Sequence, residues 1–218
     1  MKILFLAPQP FFQERGTPIA VRLAVKVLAS RHEGSVHLLT YHEGSEVTIP
    51  NTTHQRISAP AFLSGVGPGL SWKELLLDIL FFFSVFKLLW KNRKEQFDLI
   101  HAVEESVFIS LFLKPFFGVP YIYDMDSSLS LQMIEKLPWL SPLRPLFEAL
   151  ERLAVKGSVA VVPVCDALAV IADKHGSKDT HILRDISLLG MNNEKTSESN
   201  SPSDLRQELS LSTEDVIA

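Results

Sequence analysis

The chain of 218 residues contains one cysteine, Cys165. A single thiol excludes an internal disulfide and any zinc site built from cysteines, and it fits a reducing compartment. Basic residues are not in excess, since 21 Lys and Arg stand against 25 Asp and Glu for a net charge of -4. A general nucleic-acid binder shows the opposite balance, so no nucleic-acid partner is expected. The glycine-rich fingerprints are missing too. There is no G-x-G-x-x-G and no G-x-x-x-x-G-K-[ST], which leaves a dinucleotide fingerprint and a P-loop unsupported. Only five apolar residues separate Lys2 from Pro8, too few for the apolar region of a secretory leader. The apolar run Leu75 to Trp90 carries Ser84, Asp78 and Lys87. Its helix would measure about 24 Å, whereas spanning a bilayer takes about 20 apolar residues, so a spanning helix is not expected.

What is present is a chain 46% hydrophobic, enough for one large domain or one and a half ordinary ones. It opens with Ile3-Leu4-Phe5-Leu6-Ala7, an apolar run that suits a central parallel strand covered on both sides. The loop Pro8 to Gly16 follows. Thr17-Pro18 then reads as the N-cap and first position of a helix, with Ile19, Leu23, Val27 and Leu28 at helical spacing. Free N–H groups at such a helix start present partial positive charge to an anion. Ser35 to Tyr41 reads as a second strand and His54 to Ala59 as a weak third. Ser71 to Lys94 is helical. Phe97 to Val103 is a strand, Glu104 to Phe117 a helix, and Val119 to Asp124 a strand with a loop from Met125 to Leu131. Pro142 to Lys156 is an amphipathic helix with Leu146, Leu150 and Leu153 on one side. Ser158 to Val164 is a buried strand, Asp166 to His175 a helix closed by Gly176, and Thr180 to Arg184 a last short strand. This alternation predicts a Rossmann-like α/β domain, a doubly wound parallel sheet with helices on both faces, over residues 1–190. The polar stretch 191–204 reads as a linker or disordered loop. Residues 205–218 read as the truncated start of a second domain, because a strand cannot stand alone.

Two stretches carry open alternatives. Trp72 and Trp90 flank the apolar run, with Lys73, Lys91, Arg93 and Lys94 outside them. That layout suits a helix lying in a membrane interface, or equally a helix packed on the sheet. The second stretch is the set of strand ends. His101, Glu104 and Glu105 close one strand, and the glutamates begin the next helix, where acidic side chains are favoured by the dipole alone. Asp124 and Asp126 follow the neighbouring strand. Two carboxylates at this spacing accept sugar hydroxyls, hold a divalent cation or act as a base, or else serve turn chemistry. His175 and His181 read as surface residues, and Cys165 as core.

These segments resemble the N-terminal domain of family 4 retaining glycosyltransferases of the GT-B fold. The run PQPFFQERGTPIAVRLAVKVLASRHEGSVHLLT is similar to the opening strand, loop and helix of that family. Asp98-Leu99-Ile100-His101-Ala102-Val103-Glu104 resembles its D-v-I-H-a-H-E strand end. Pro120-Tyr121-Ile122-Tyr123-Asp124-Met125-Asp126 resembles P-x-v-x-t-x-H, and Val162 to Ala172 resembles v-x-v-S-x-x-l-x-x-x-l. The likeness covers about residues 1 to 190. Three positions depart from it. Val103 stands for the second histidine of the first motif, Asp126 for the histidine of the second, and Arg184-Asp185-Ile186-Ser187 for the usual N-G-V-D.

The resemblance implies an acceptor-side domain of an enzyme that moves a sugar, with retention, from a nucleotide-sugar donor to a glycan or lipid-linked acceptor. It implies that Asp126 and His101 act at the reacting centre. Arg15, Gly16, Thr17, Glu104, Glu105, Asp124 and Ser127 would bind donor phosphate or acceptor. No metal or cofactor is implied, since the nucleotide sugar is a substrate. The donor-side domain, with its E-x7-E pair, would be missing, so the chain alone would be inactive. The place implied is the cytoplasm, at the inner membrane face if Trp72–Lys94 binds lipid. The other readings are a truncated or split non-catalytic domain that binds a partner chain or membrane, and another doubly wound module such as a flavodoxin-like one, which lacks support from any phosphate-loop signature.

Overall fold

The computed structural model describes residues 1–11, 16–31, 35–45, 48–65 and 71–185, and Met1–Asp185 forms a compact unit. The readings for 191–218, and for Arg15, lie outside the described residues. The strands are β1 (Ile3–Ala7), β2 (Val36–Thr40), β3 (Thr52–Arg56), β4 (Leu99–Val103), β5 (Tyr121–Met125) and β6 (Ala160–Pro163). The helices are α1 (Gly16–Arg31), α2 (Trp72–Lys91), α3 (Ser106–Phe117), α4 (Leu129–Lys136), α5 (Arg144–Gly157) and α6 (Asp166–Lys174). Among the described residues the strands form one sheet in the order β3-β2-β1-β4-β5-β6, and every neighbouring pair is parallel. The expected doubly wound Rossmann-like sheet is therefore what forms.

Side chains alternate across a strand, and the two faces of β1 show it. Leu4 and Leu6 belong to a core shared with Leu77, Phe81 and Val85 of α2, Leu113 of α3 and Val155 of α5. Phe5 and Ala7 belong to a second core with Val21, Val25 and Ala29 of α1. Helices thus cover both sides of β1, which is why all five of its residues are buried.

The order places a reversal beside β1. The chain runs through β1, β2 and β3 to one side, then α2 carries it back to β4 on the other side of β1. In doubly wound sheets ligands bind outside the carboxyl ends of the strands at such a reversal, here β1 and β4.

Several boundaries differ from the sequence reading. The third strand starts at Thr52 and ends at Arg56. The loop after β5 is short, because α4 begins at Leu129. Thr180 makes an isolated bridge to Val161 rather than a strand. The leucine side of α5 faces outward. Leu146, Leu150 and Leu153 are exposed, while Glu151, Ala154 and Val155 are buried. Tyr121 of β5 meets this inward face, its hydroxyl donating to the Ala154 carbonyl at 2.8 Å. Cys165 is half-buried rather than core.

Phe11, past β1, bridges to Gly44, past β2. Gly44 has φ 119°, and a Cβ there would fall on the Phe11 backbone carbonyl. Gly44→Ala is expected to cost roughly 2–4 kcal/mol, from backbone strain and overlap together, read by urea unfolding. A loss under 1 kcal/mol would show that this bridge does not hold the two loops.

Candidate functional site

The reversal gathers side chains from three strand ends. Phe5 of β1 pairs with His101 of β4, and their rings stack with centroids 4.2 Å apart and planes at 12°. The imidazole is thereby fixed flat against the α1 side of the sheet, 8% exposed. Val103 pairs with Asp124 of β5, so Asp124 points to the same face as His101, diagonally across the strands. The imidazole Nε2 lies 2.8 Å from Asp124 Oδ2, a bond that the ring N–H donates.

Asp126 lies two residues on. Burial pushes its carboxyl up to about 8, and the charges of Asp124, Glu104 and Asp185 push the same way. A hydrogen bond from the Thr17 hydroxyl acts in the opposite direction. This bond ties the start of α1 to the β5 loop. The helix begins at Gly16, so Thr17 lies inside its first turn rather than at the N-cap, and its hydroxyl is spent on Asp126. Gly16, Thr17, Asp124 and Asp126 therefore stand at one edge of the sheet. Around neutral pH Asp126 carries its proton for part of the time, which makes it a hydrogen-bond donor as well as an acceptor.

Glu104 does not begin a helix. It takes the left-handed conformation, φ 49°, uncommon for a residue other than glycine, asparagine or aspartate. Its N–H donates to the Asp124 carbonyl at 3.0 Å and its carbonyl accepts from the Val107 N–H. The strained residue is held from both sides, as is common where backbone strain accompanies function. Glu105 occupies the N-cap position of α3 without making a cap bond. Burial raises its carboxyl well above the usual range, with the charges of Glu104, Asp78 and Glu74 adding to the effect. Ser127, in the turn after Asp126, is half-buried.

Three contributors were not legible as site residues. Asp78 of α2 looked like an interruption in an apolar run, yet it accepts a short hydrogen bond from the Tyr41 hydroxyl just past β2. Burial raises the Asp78 carboxyl. Glu151 of α5 is fully buried and braces the β5 loop. It accepts from Ser128 Oγ at 2.9 Å, Ser130 Oγ at 3.2 Å and the Leu129 N–H at 2.8 Å. The N-terminus of α4 is thereby satisfied by a carboxylate from another helix, the sign that the helix dipole favours. His175, expected at the surface, is buried with Nε2 3.4 Å from Glu151 Oε2. The signal for Glu151 was its position on the small-residue side of α5, opposite the leucines.

Among the described residues no group of three His, Cys, Asp or Glu is arranged to hold a metal ion. A surface pocket lined by Leu89, Asn92, Arg93, Phe97 and Phe117 opens near the start of β4, at the opposite edge, and no predicted site residue lines it.

No protein-family model matches the sequence, and no curated protein does. Solved structures do match in fold. Sucrose-phosphate synthase from Thermosynechococcus elongatus is 16% identical with a TM-score of 0.64, over 98% of this chain and 53% of that one. Anabaena HepE, solved in complex with UDP, is 17% identical with a TM-score of 0.57, over 96% and 50%. A UGT transferase from Siraitia grosvenorii, also solved with UDP, is 13% identical with a TM-score of 0.54, over 95% and 55%. These neighbours are GT-B glycosyltransferases, and this chain spans about half the length of each.

Two outcomes follow from the buried carboxylates. Asp126 binds its proton more tightly folded than unfolded, because about 8 lies far above the ordinary value near 4. Its contribution is therefore most favourable below about pH 4 and is lost as pH rises toward 8. Asp126→Asn should raise the unfolding free energy at pH 8 by a few kcal/mol and flatten the stability profile between pH 4 and 8. An unchanged profile in urea titrations would place the group in contact with water. Glu151→Ala should cost roughly 2–5 kcal/mol by leaving buried donors unpaired, with Glu151→Gln between it and the parent in the same assay.

Proposed function

We propose that residues 1–190 are the acceptor-side half of a retaining, family 4 type glycosyltransferase, acting with a donor-side domain beyond this chain. The enzyme moves a sugar from a nucleotide-sugar donor to a glycan or lipid-linked acceptor. The observation that carries this reading is the convergence of the His101–Asp124 pair and the proton-carrying Asp126 at the reversal point, where doubly wound sheets take ligands. It agrees with the coarser finding that the fold's neighbours are nucleotide-sugar glycosyltransferases.

The chemistry of the cluster fits a polyhydroxylated ligand better than a phosphate. Asp124 and Glu104 put negative charge beside Asp126, which repels a diphosphate and accepts hydrogen bonds from hydroxyls. His101 and Asp126 act at the reacting sugar, where a neutral Asp126 donates to a sugar oxygen that an ionised one would repel. Asp124 holds the imidazole. Glu104, Glu105 and Ser127 line the rim and orient acceptor hydroxyls. Arg15, Gly16 and Thr17 would approach the donor phosphates or the acceptor, since the start of a helix supplies partial positive charge. The protein works in the cytoplasm.

Positioning both substrates in one cleft supplies roughly 7–11 kcal/mol of barrier reduction, and half a cleft forfeits most of it. The 218-residue chain is expected to show no sugar transfer. The protein extended by its downstream reading frame is expected to show it, measured as nucleotide release from a panel of nucleotide sugars. In that protein Asp126→Asn should lower kcat by about a hundredfold or more while the folded state becomes more stable at pH 8. Transfer by the 218-residue chain alone contradicts the two-domain reading. An extended protein that never transfers favours a non-catalytic binding domain. Parallel loss of rate and stability in Asp126→Asn assigns that residue a structural role.

A further inference from the structure

We propose that α2 and α3 together form a docking face for an anionic lipid bilayer, with α2 lying along the interface rather than crossing it. This goes beyond the transfer reading and does not depend on it. Among the described residues no helix is long and apolar enough to cross a membrane, yet α2 leaves a long apolar stripe uncovered. Leu75, Ile79, Phe83 and Phe86 recur at intervals of four, four and three, the spacing of one helix face, and all are exposed. Phe112 and Phe116, one turn apart on α3, extend the stripe sideways and are 58% and 67% exposed. The helices are joined by ring contacts, Phe82 to Phe112 at 5.7 Å and Phe86 to Phe117 at 5.6 Å, so the aromatic side chains form one patch rather than two. A contiguous patch of this kind marks an interaction surface.

The charge around the patch selects the occupant. Lys87, Lys91 and Lys94 are exposed, and the Arg93 guanidinium stacks over Trp90 at 4.5 Å. The acids of α2 do not oppose them. Asp78 is turned inward to Tyr41, Glu74 is half-buried, and α3 contains no acidic residue. Glu95, beyond the helix end, faces Lys2. An apolar centre with tryptophan at both ends and a cationic margin matches a headgroup layer carrying negative charge. A second copy of this chain would bring the same cations against one another.

The site geometry gives the docking a consequence. Asp78 and Tyr41 fix the first turns of α2 at the carboxyl edge of the sheet, the edge that holds His101 and Asp126. A lipid-borne acceptor would reach the crevice without leaving the interface.

The test is co-sedimentation of the purified 218-residue chain with vesicles of phosphatidylcholine alone and of phosphatidylcholine with phosphatidylglycerol. The parent chain should pellet with the anionic vesicles and far less with the neutral ones. Each lysine near an anionic surface is worth about fivefold in partition, so Lys87→Gln/Lys91→Gln/Lys94→Gln should weaken anionic binding on the order of a hundredfold. Phe83→Ser/Phe116→Ser, at side chains that the fold leaves exposed, should abolish pelleting while leaving the thermal unfolding midpoint unchanged. A parent chain that stays in the supernatant with both vesicle types overturns the proposal, whatever its transfer activity. Equal binding to both types, unaltered binding by the phenylalanine variant, or a dimer that this variant dissolves in the absence of vesicle binding overturns it as well.

Discussion

The chain leaves β1 in one direction and returns to its other side. That reversal governs where ligand chemistry can reside in this molecule. A parallel sheet needs crossover helices, and each crossover has a fixed hand. Two strands laid to the left of β1 put α1 on one face, and strands laid to the right put α2, α3 and α5 on the other. Helices on opposite faces cannot both cover the end of the strand between them. At the carboxyl ends of β1 and β4 polar groups are gathered into a partly buried cluster, with His101 buried and Asp126 shifted by burial.

The open edge is furnished with groups that the fold alone would not choose. Burial, with the charges of Asp124, Glu104 and Asp185 adding to it, makes Asp126 hold its proton into the neutral range. Glu104 adds a strained backbone held by bonds to Asp124 and Val107. Structural buried charge looks different in the same molecule. Glu151 is fully buried, but two hydroxyls and a backbone N–H donate to it. It braces the β5 loop, so the arrangement that destabilises at Asp126 is supported by one that stabilises at Glu151. A strongly perturbed carboxyl group at a strand-end cluster is a candidate functional group rather than a bracing one.

The two exposed apolar faces teach a related point. α5 shows its leucine side to the outside, while Glu151, Ala154 and Val155 face inward and the Tyr121 hydroxyl bonds the Ala154 carbonyl. α2 shows an aromatic side because its inward face is already filled by Leu77, Phe81 and Val85. In both helices the apolar periodicity was clear, but the sheet had room for less apolar surface than the helices carry. Periodicity says which residues share a face, and the neighbouring layer decides which face is buried.

The sequence by itself determined the alternation of strands and helices, the parallel sheet and the candidate residues His101, Asp124 and Asp126 at strand ends. Those properties follow from local periodicity and turn chemistry, which are written within a few residues of one another. It determined less where the signal was weak or hidden, as in the shifted third strand, the unnoticed α4 and the left-handed Glu104. Tertiary structure alone decided which strand ends meet. The bond from Thr17 to Asp126, the His101–Asp124 pair and the buried Glu151–His175 contact each join segments separated by another strand or helix. Their existence depends on strand order, and strand order arises from the packing of whole layers, a property no short stretch of sequence carries.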